Sequence, residues 1–252
     1  MVFLGEAPAG IAAFLRPLHD ELRLAAKALE NHDLNVSPCS LDGFTSPIQE
    51  RIRAEHIRIP GVLRPYRNGI HQGIDFYGVR RGTAIFPVRE GIILRVDQAY
   101  QPLDSSFRSE LLRLTRERWN GTPGSVDLPP APPPYGDVLG RLMGRQIWIY
   151  HGTNHEGESV ITRYGHLSSV DQSLRPLDRV SPRTVIGGVG HSGTSSEGTD
   201  SPQGTHLHLE IYVGSDFWHP QSKDEIGRPL TAERKQALRE KTLRLLPQRS
   251  LP

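Results

Sequence analysis

Near its C-terminus the chain carries Thr205-His206-Leu207-His208-Leu209-Glu210. Strand side chains alternate faces with a period of two, so His206, His208 and Glu210 would share one face. Leu207 and Leu209 would then point into a core. Two imidazoles on one strand face make a poor core, because each brings a polar nitrogen that needs a partner. They make a good half of a metal site. Far upstream, His71-Gln72-Gly73-Ile74-Asp75 offers one more imidazole and a carboxylate. Imidazole and carboxylate suit zinc, and three protein ligands leave a fourth position open for chemistry. A His-x-His in a chain with eleven histidines can also be incidental.

Three stretches in order remove much of that ambiguity: HQGID at 71–75, YGHL at 164–167 and HLHLE at 206–210. Together they resemble the lysostaphin-like (LytM-type) zinc metallopeptidases, which cut peptide bonds in bacterial peptidoglycan. The resemblance runs over roughly residues 60–220 and includes glycine-punctuated strands at Gly82-Thr83, Glu90-Gly91 and Ile186 to Gly190. It implies one zinc ion per chain, held by His71, Asp75 and His208. It further implies that His206 and His166 handle the chemistry, His206 as the base and His166 as the group that orients water or stabilises the oxyanion. Glu210 could fix the tautomer of a ligand histidine or be a strand-end charge. Tyr164 shares strand parity with His166 and either lines the site or is buried and anchored by its hydroxyl. His151 is read as non-catalytic and His191 as a rim residue.

The elements that must position these groups are mostly strands. Short β-rich runs are expected at Ile70–Phe76, Thr83–Val88, Gly91–Val96, Gln146–His151, Ser159–Leu167, Leu174–Val180 and Thr184–Val189. A hairpin is expected around residues 152–157. The fold class is mainly β, a compact antiparallel sheet or sandwich with peripheral helices and a long helical, proline-rich insertion. Residues 1–56 form an N-terminal helical segment, with an amphipathic helix over 9–30 and a short helix from Ser46-Pro47 to about Ala54. Residues 57–220 form the metallopeptidase domain, and 221–252 a helical tail with Ala237, Leu238, Lys241 and Leu245 on a helical spacing. The insertion, 97–145, holds an amphipathic helix over about Ser106–Trp119, with Phe107, Leu111, Leu114 and Leu112 towards one side, then a stiff proline run at 129–134. It reads either as surface decoration or as a wall of the substrate groove. Ser192 to Gly204 is small and polar and reads as a mobile rim.

Composition narrows the function classes. The chain has 252 residues, a formal net charge of +2 and one cysteine. That balance gives no support for a nucleic-acid partner, and a single Cys39 excludes an intrachain disulfide. No stretch approaches a transmembrane helix. The expected partner is the peptide part of peptidoglycan, which places the protein outside the cytoplasm, in the cell envelope or secreted. Met1 to Glu6 lacks the basic start of an export signal, so a signal further upstream or another export route is expected. Two other functions compete with a zinc endopeptidase: a non-catalytic peptidoglycan-binding or regulatory module of the same fold, and a zinc D-Ala-D-Ala carboxypeptidase or amidase.

Overall fold

The structure, a computed structural model, describes residues 38–67, 69–118, 138–199, 201–214 and 216–248. The expected helix over 9–30 and the proline run lie outside the described residues. Thirteen strands follow in chain order: β1 Ile57–Arg58, β2 Leu63–Arg64, β3 Gly69–Ile70, β4 Ile74–Phe76, β5 Ala84–Ile85, β6 Gly91–Val96, β7 Ile147–Thr153, β8 Ser159–Gly165, β9 Leu167–Val170, β10 Arg179–Val180, β11 Gly187–Val189, β12 Leu207–Val213 and β13 Asp216–Phe217. Three α-helices accompany them among the described residues: α1 Ser105–Arg118, α2 Val138–Leu142 and α3 Ala232–Leu245. The fold is mainly β, as the sequence leads one to expect. Among the described residues no helix is long and apolar enough to cross a membrane.

The large sheet has the order β1-β4-β12-β8-β7-β6-β10, with β13 paired to β12. A smaller sheet, β5-β11-β9, and the β2–β3 hairpin complete the set. Alternation decides which face does what. Leu207, Leu209 and Ile211 of β12, Ile147 and Ile149 of β7, and Val160 and Tyr164 of β8 enter the main core. That core also takes Ile85, Leu167, Val170 and Val189 from the small sheet. The intervening residues of the large sheet face the other way. Trp148, Tyr150, Ile161 and Tyr212 form a second apolar cluster there, beside the polar side chains of the site. Both ends of the described chain reach the main core, through Cys39, Phe44, Ile48 and Ile52 on one side and Leu238 and Leu246 on the other.

Several expected elements differ in detail. Residues 46–54 form no α-helix. Ser46 N donates to Pro247 O, and Pro47 O accepts from Phe86 N, so this backbone is satisfied across the chain rather than along it. Ile70–Phe76 is broken into β3 and β4, because the backbone of His71 instead pairs with Gly61 and Val62. Thr83–Val88, Leu174–Val180 and Thr184–Val189 contain only short strands, β5, β10 and β11. The helix expected near Ser106–Trp119 is α1. Asp104 Oδ1 caps it by accepting from the backbone N–H of Ser106 and Phe107. Leu111 is fully buried, with Phe107, Leu114, Leu103 and Leu142 packed around it.

His151 shows what a buried histidine does when it is structural. It is a fully buried residue of β7, with Nδ1 2.8 Å from Glu90 O just before β6 and Nε2 2.7 Å from Thr162 Oγ1 of β8. Burial pushes its pKa down to about 4, partly opposed by the hydrogen bond it donates to the Glu90 carbonyl. The unfolded chain therefore binds a proton below about pH 6.5 that the folded chain refuses until about pH 4, so stability falls as pH drops through this window. The contribution is about 3 kcal/mol. His151→Gln is expected to flatten that part of the fall in melting temperature between pH 6.5 and 4. Parallel pH profiles for the variant and the parent protein would contradict it.

Candidate active site

The register of the sheet assembles the site. His208 of β12 sits directly opposite Asp75 of β4 on one side and Gly165 of β8 on the other. His71 lies just before β4 and reaches the same point. Three donor atoms meet there: His71 Nε2, Asp75 Oδ1 and His208 Nδ1, separated by 2.9 Å, 2.7 Å and 3.3 Å. All three residues are buried.

The far side of each histidine sets its tautomer. His71 Nδ1 lies 2.8 Å from Ile59 O, a pure acceptor, so the proton belongs on Nδ1 and Nε2 presents a lone pair inward. His208 Nε2 lies 3.1 Å from Glu210 Oε1, so the same logic leaves Nδ1 as its inward lone pair. Asp75 Oδ2 accepts from Arg64 Nη2 at 2.7 Å, which turns Oδ1 towards the histidines. Three acceptors thus converge, an arrangement that demands a positive charge among them. The His208 pKa reports the same demand: burial pulls it down, yet the hydrogen bonds to Asp75 and Glu210 outweigh burial and raise it. Asp75 is likewise held well below the usual carboxylate range, since the neighbouring histidines outweigh the cost of its burial. Two imidazoles and one carboxylate oxygen fit zinc.

Behind His208 runs a buried polar chain. Glu210 accepts from Tyr212 OH at 2.9 Å and from Arg163 Nη1 at 3.2 Å. Arg163 Nε donates to Gln146 Oε1 at 2.6 Å, and the guanidinium lies over the Trp148 ring, 4.7 Å from its centroid. Glu210 is therefore not a strand-end charge.

Two more histidines face the cluster. His206 precedes β12 and is tied to Gly190 by an isolated antiparallel bridge. Its Nδ1 is 2.6 Å from Gly204 O, which leaves Nε2 as an acceptor, 3.6 Å from Asp75 Oδ1. Its ring stacks on Tyr77 at 4.5 Å. His166 follows β8 with φ of 60°, in the left-handed region that non-glycine residues rarely enter. That turn breaks strand parity, so Tyr164 points into the core while His166 reaches the site. Tyr164 is fully buried, and its OH accepts from Val88 N at 2.9 Å, so it does not line the site. His166 Nδ1 is 2.7 Å from Ser192 O, and its ring is 4.7 Å from that of His206. Burial first, then the neighbouring His206 and His208, hold the His166 pKa well below the usual range. Burial lowers that of His206 too, opposed by Asp75.

These groups line a cleft of about 450 Å³. Its walls include Arg108 and Leu112 of α1, so the described part of the stretch expected as an insertion borders the cleft rather than decorating a remote surface. The stretch after His191 is tied down at several points. Arg108 Nε donates to Gly193 O, and Glu197 accepts from Tyr100 OH and Leu103 N. His191 itself is 5% exposed, so it is not a rim residue. Arg64, Tyr77, Arg108, Gln146 and Arg163 were not singled out from the sequence. Tyr77 shares β parity with Asp75 and was within reach. The others depend on strand pairing and on where the insertion folds, which spacing does not encode.

Residues 136–220 match the sequence model of peptidase family M23. That match spans about a third of the chain. The matched residues include His166, His206 and His208, whereas His71 and Asp75 lie upstream of them. Among solved structures the chain is similar to a putative peptidase M23 from Pseudomonas aeruginosa, at 17% identity and TM-score 0.40, covering 81% of this chain and 58% of that one. It is also similar to the catalytic domain of the antimicrobial peptidase lysostaphin from Staphylococcus simulans, at 18% identity and TM-score 0.35, covering 70% of this chain and 85% of that one. The catalytic domain of the prophage-encoded M23 protein EnpA from Enterococcus faecalis gives 18% identity and TM-score 0.34, covering 75% and 97%. No curated protein matches.

One glycine of the HQGID stretch has a steric reason. A Cβ on Gly73 would lie 2.6 Å from His208 Nε2 and 2.7 Å from Leu209 O, the latter immovable backbone. Gly73→Ala is therefore expected to push the His208 ring off its hydrogen bond to Glu210 and lower zinc affinity by about tenfold or more. Zinc titration of the apoprotein against a chromophoric chelator measures this. Undiminished affinity would show that the ring has room to give.

Proposed function

We propose that the protein is a zinc-dependent endopeptidase acting on the peptides of bacterial peptidoglycan, outside the cytoplasm. The observation that carries the reading is the convergence of three acceptor atoms beside two further histidines whose Nδ1 atoms are each held by a backbone carbonyl. His71, Asp75 and His208 would hold the ion. When bound, zinc supplies a nucleophile at neutral pH from water and polarises the scissile carbonyl.

The chain's own residues do the rest. His206 is the better base of the remaining pair. Its Nδ1–H is occupied by Gly204 O, so Nε2 is available to take a proton from the attacking water. The imidazolium so formed gains from the Asp75 carboxylate 3.6 Å away, and Nε2 can then pass the proton to the leaving amine. Asp75 supports a charge on His166 too, but burial and the neighbouring His206 and His208 oppose it more, which suits His166 to accept a hydrogen bond from the water and aim it. With Nδ1 committed to Ser192 O, a neutral His166 has no proton to offer an oxyanion, so orientation is favoured over oxyanion stabilisation. Arg64 and Glu210 are positioning residues, one fixing which Asp75 oxygen faces inward and the other fixing the His208 tautomer.

His206→Ala and His166→Ala are expected to keep about one zinc per chain while losing activity on purified peptidoglycan by roughly a hundredfold or more. His208→Ala is expected to lose most of the metal at neutral pH. Metal analysis beside release of new amino groups tests all three variants. Near-parental turnover in either His206→Ala or His166→Ala would refute the role given to that residue.

A further inference from the structure

Among the described residues three guanidinium groups line the cleft, and they are not equivalent. Arg64 is paired with Asp75 at 2.7 Å, and Arg163 with Glu210 at 3.2 Å. Arg108 is different. Its Nε donates to Gly193 O at 3.0 Å, yet among the described residues no carboxylate lies within ion-pair distance of it. Burial pulls its pKa down, opposed by Tyr66 and Glu197. The carboxylate of Glu197 is already occupied by Tyr100 OH and Leu103 N. A half-buried, oriented cation without a counter-ion, set in the wall of a substrate cleft, is short of an anion.

We propose that Arg108 is a specificity-determining residue, which binds a carboxylate carried by the peptide close to the bond to be cut. This rests on the peptidase reading above and names the class of peptide that the cleft prefers. The anchor explains how an arginine on an inserted helix is aimed. Gly193 O holds Nε, which leaves the two terminal nitrogens for a ligand, and a guanidinium offers them as a fork that matches a carboxylate. The neighbouring carbonyl, Ser192 O, holds His166. One short stretch of backbone therefore fixes the distance between the charge-binding group and a histidine of the catalytic set. Gly193 has φ of 72°, and a Cβ there would lie 2.4 Å from Leu142 O and 2.6 Å from Gly144 N, so the stretch is pressed firmly against α2. One helical turn beyond Arg108, Leu112 also lines the cleft, together with Leu142 and Met143. That apolar strip suits small aliphatic side chains such as alanine beside the charged one.

Two pairs of alanine-rich peptides test this on the zinc-loaded full chain. In one pair a glutamate is exchanged for glutamine. In the other a free C-terminal carboxylate is exchanged for an amide. The expected result is a KM about tenfold lower for the charged member of at least one pair, and the pair that responds tells a side-chain carboxylate from a terminal one. In Arg108→Gln the ratio is expected to fall to near one. Arg108→Lys keeps the charge without the fork, and a ratio between those of the parent protein and Arg108→Gln is expected. Equal KM values in both pairs for the parent protein overturn the proposal, as does a preference that survives in Arg108→Gln or a lysine variant no better than glutamine. If no peptide is cut, the peptidase reading fails separately, and calorimetric Kd values for the same peptides decide on Arg108. A tenfold Kd ratio abolished in Arg108→Gln supports it, and equal or undetectable binding overturns it.

Discussion

Three acceptors pointed at one another, as at His71, Asp75 and His208, repel unless a proton or a cation lies among them. The surroundings must hold them in place. Each inward acceptor has an outward partner that pulls from behind: Ile59 O for His71, Arg64 for Asp75, Glu210 for His208. Much of the architecture near the site can be understood as support for those three contacts. β12 is central in the sheet because His208 must lie opposite Asp75 and Gly165 at once. The break between β3 and β4 frees the His71 backbone to pair with Gly61 and Val62, which brings its ring over the strand.

The buried chain from Glu210 through Arg163 to Gln146 and Trp148 follows from the same constraint. A carboxylate that must orient a histidine inside a protein needs its own charge balanced, and Arg163 from the adjacent strand does that. Arg163 in turn is held by Gln146, whose amide nitrogen reaches Gly140 O in α2. Helix α2 is thus linked to the candidate metal-binding cluster by hydrogen bonds, although its described residues contribute no candidate ligand.

Much of the site was legible in the sequence because its chemistry is encoded at short range. His206, His208 and Glu210 obey strand parity, and Asp75 lies four residues from His71. The order of the three motifs did the rest. What was not legible depends on long-range geometry. Tyr164 and His166 have the same parity, and only the left-handed backbone at His166 separates a core tyrosine from a site histidine. Arg64 contacts Asp75 through a two-strand hairpin so short that it has no periodicity to read. The helix expected after Ser46 failed for a similar reason. Ile48 and Ile52 have helical spacing, but their segment is bound to distant backbone at Phe86 and Pro247. Ser192 to Gly204 looked loose because it is small and polar, yet His191 and Ser192 are buried, and Arg108, His166 and Tyr100 all fasten on it.

That last fastening has a modular side. Glu197 receives Tyr100 OH and Leu103 N, so the stretch before α1 and a loop more than ninety residues later share one carboxylate. Neither half is self-sufficient: without the first, Glu197 loses both partners, and without Glu197 the phenol and the amide lose theirs. Exchanging either segment alone would strand polar groups of the other. The two behave as one part, split in sequence by the core of the sheet.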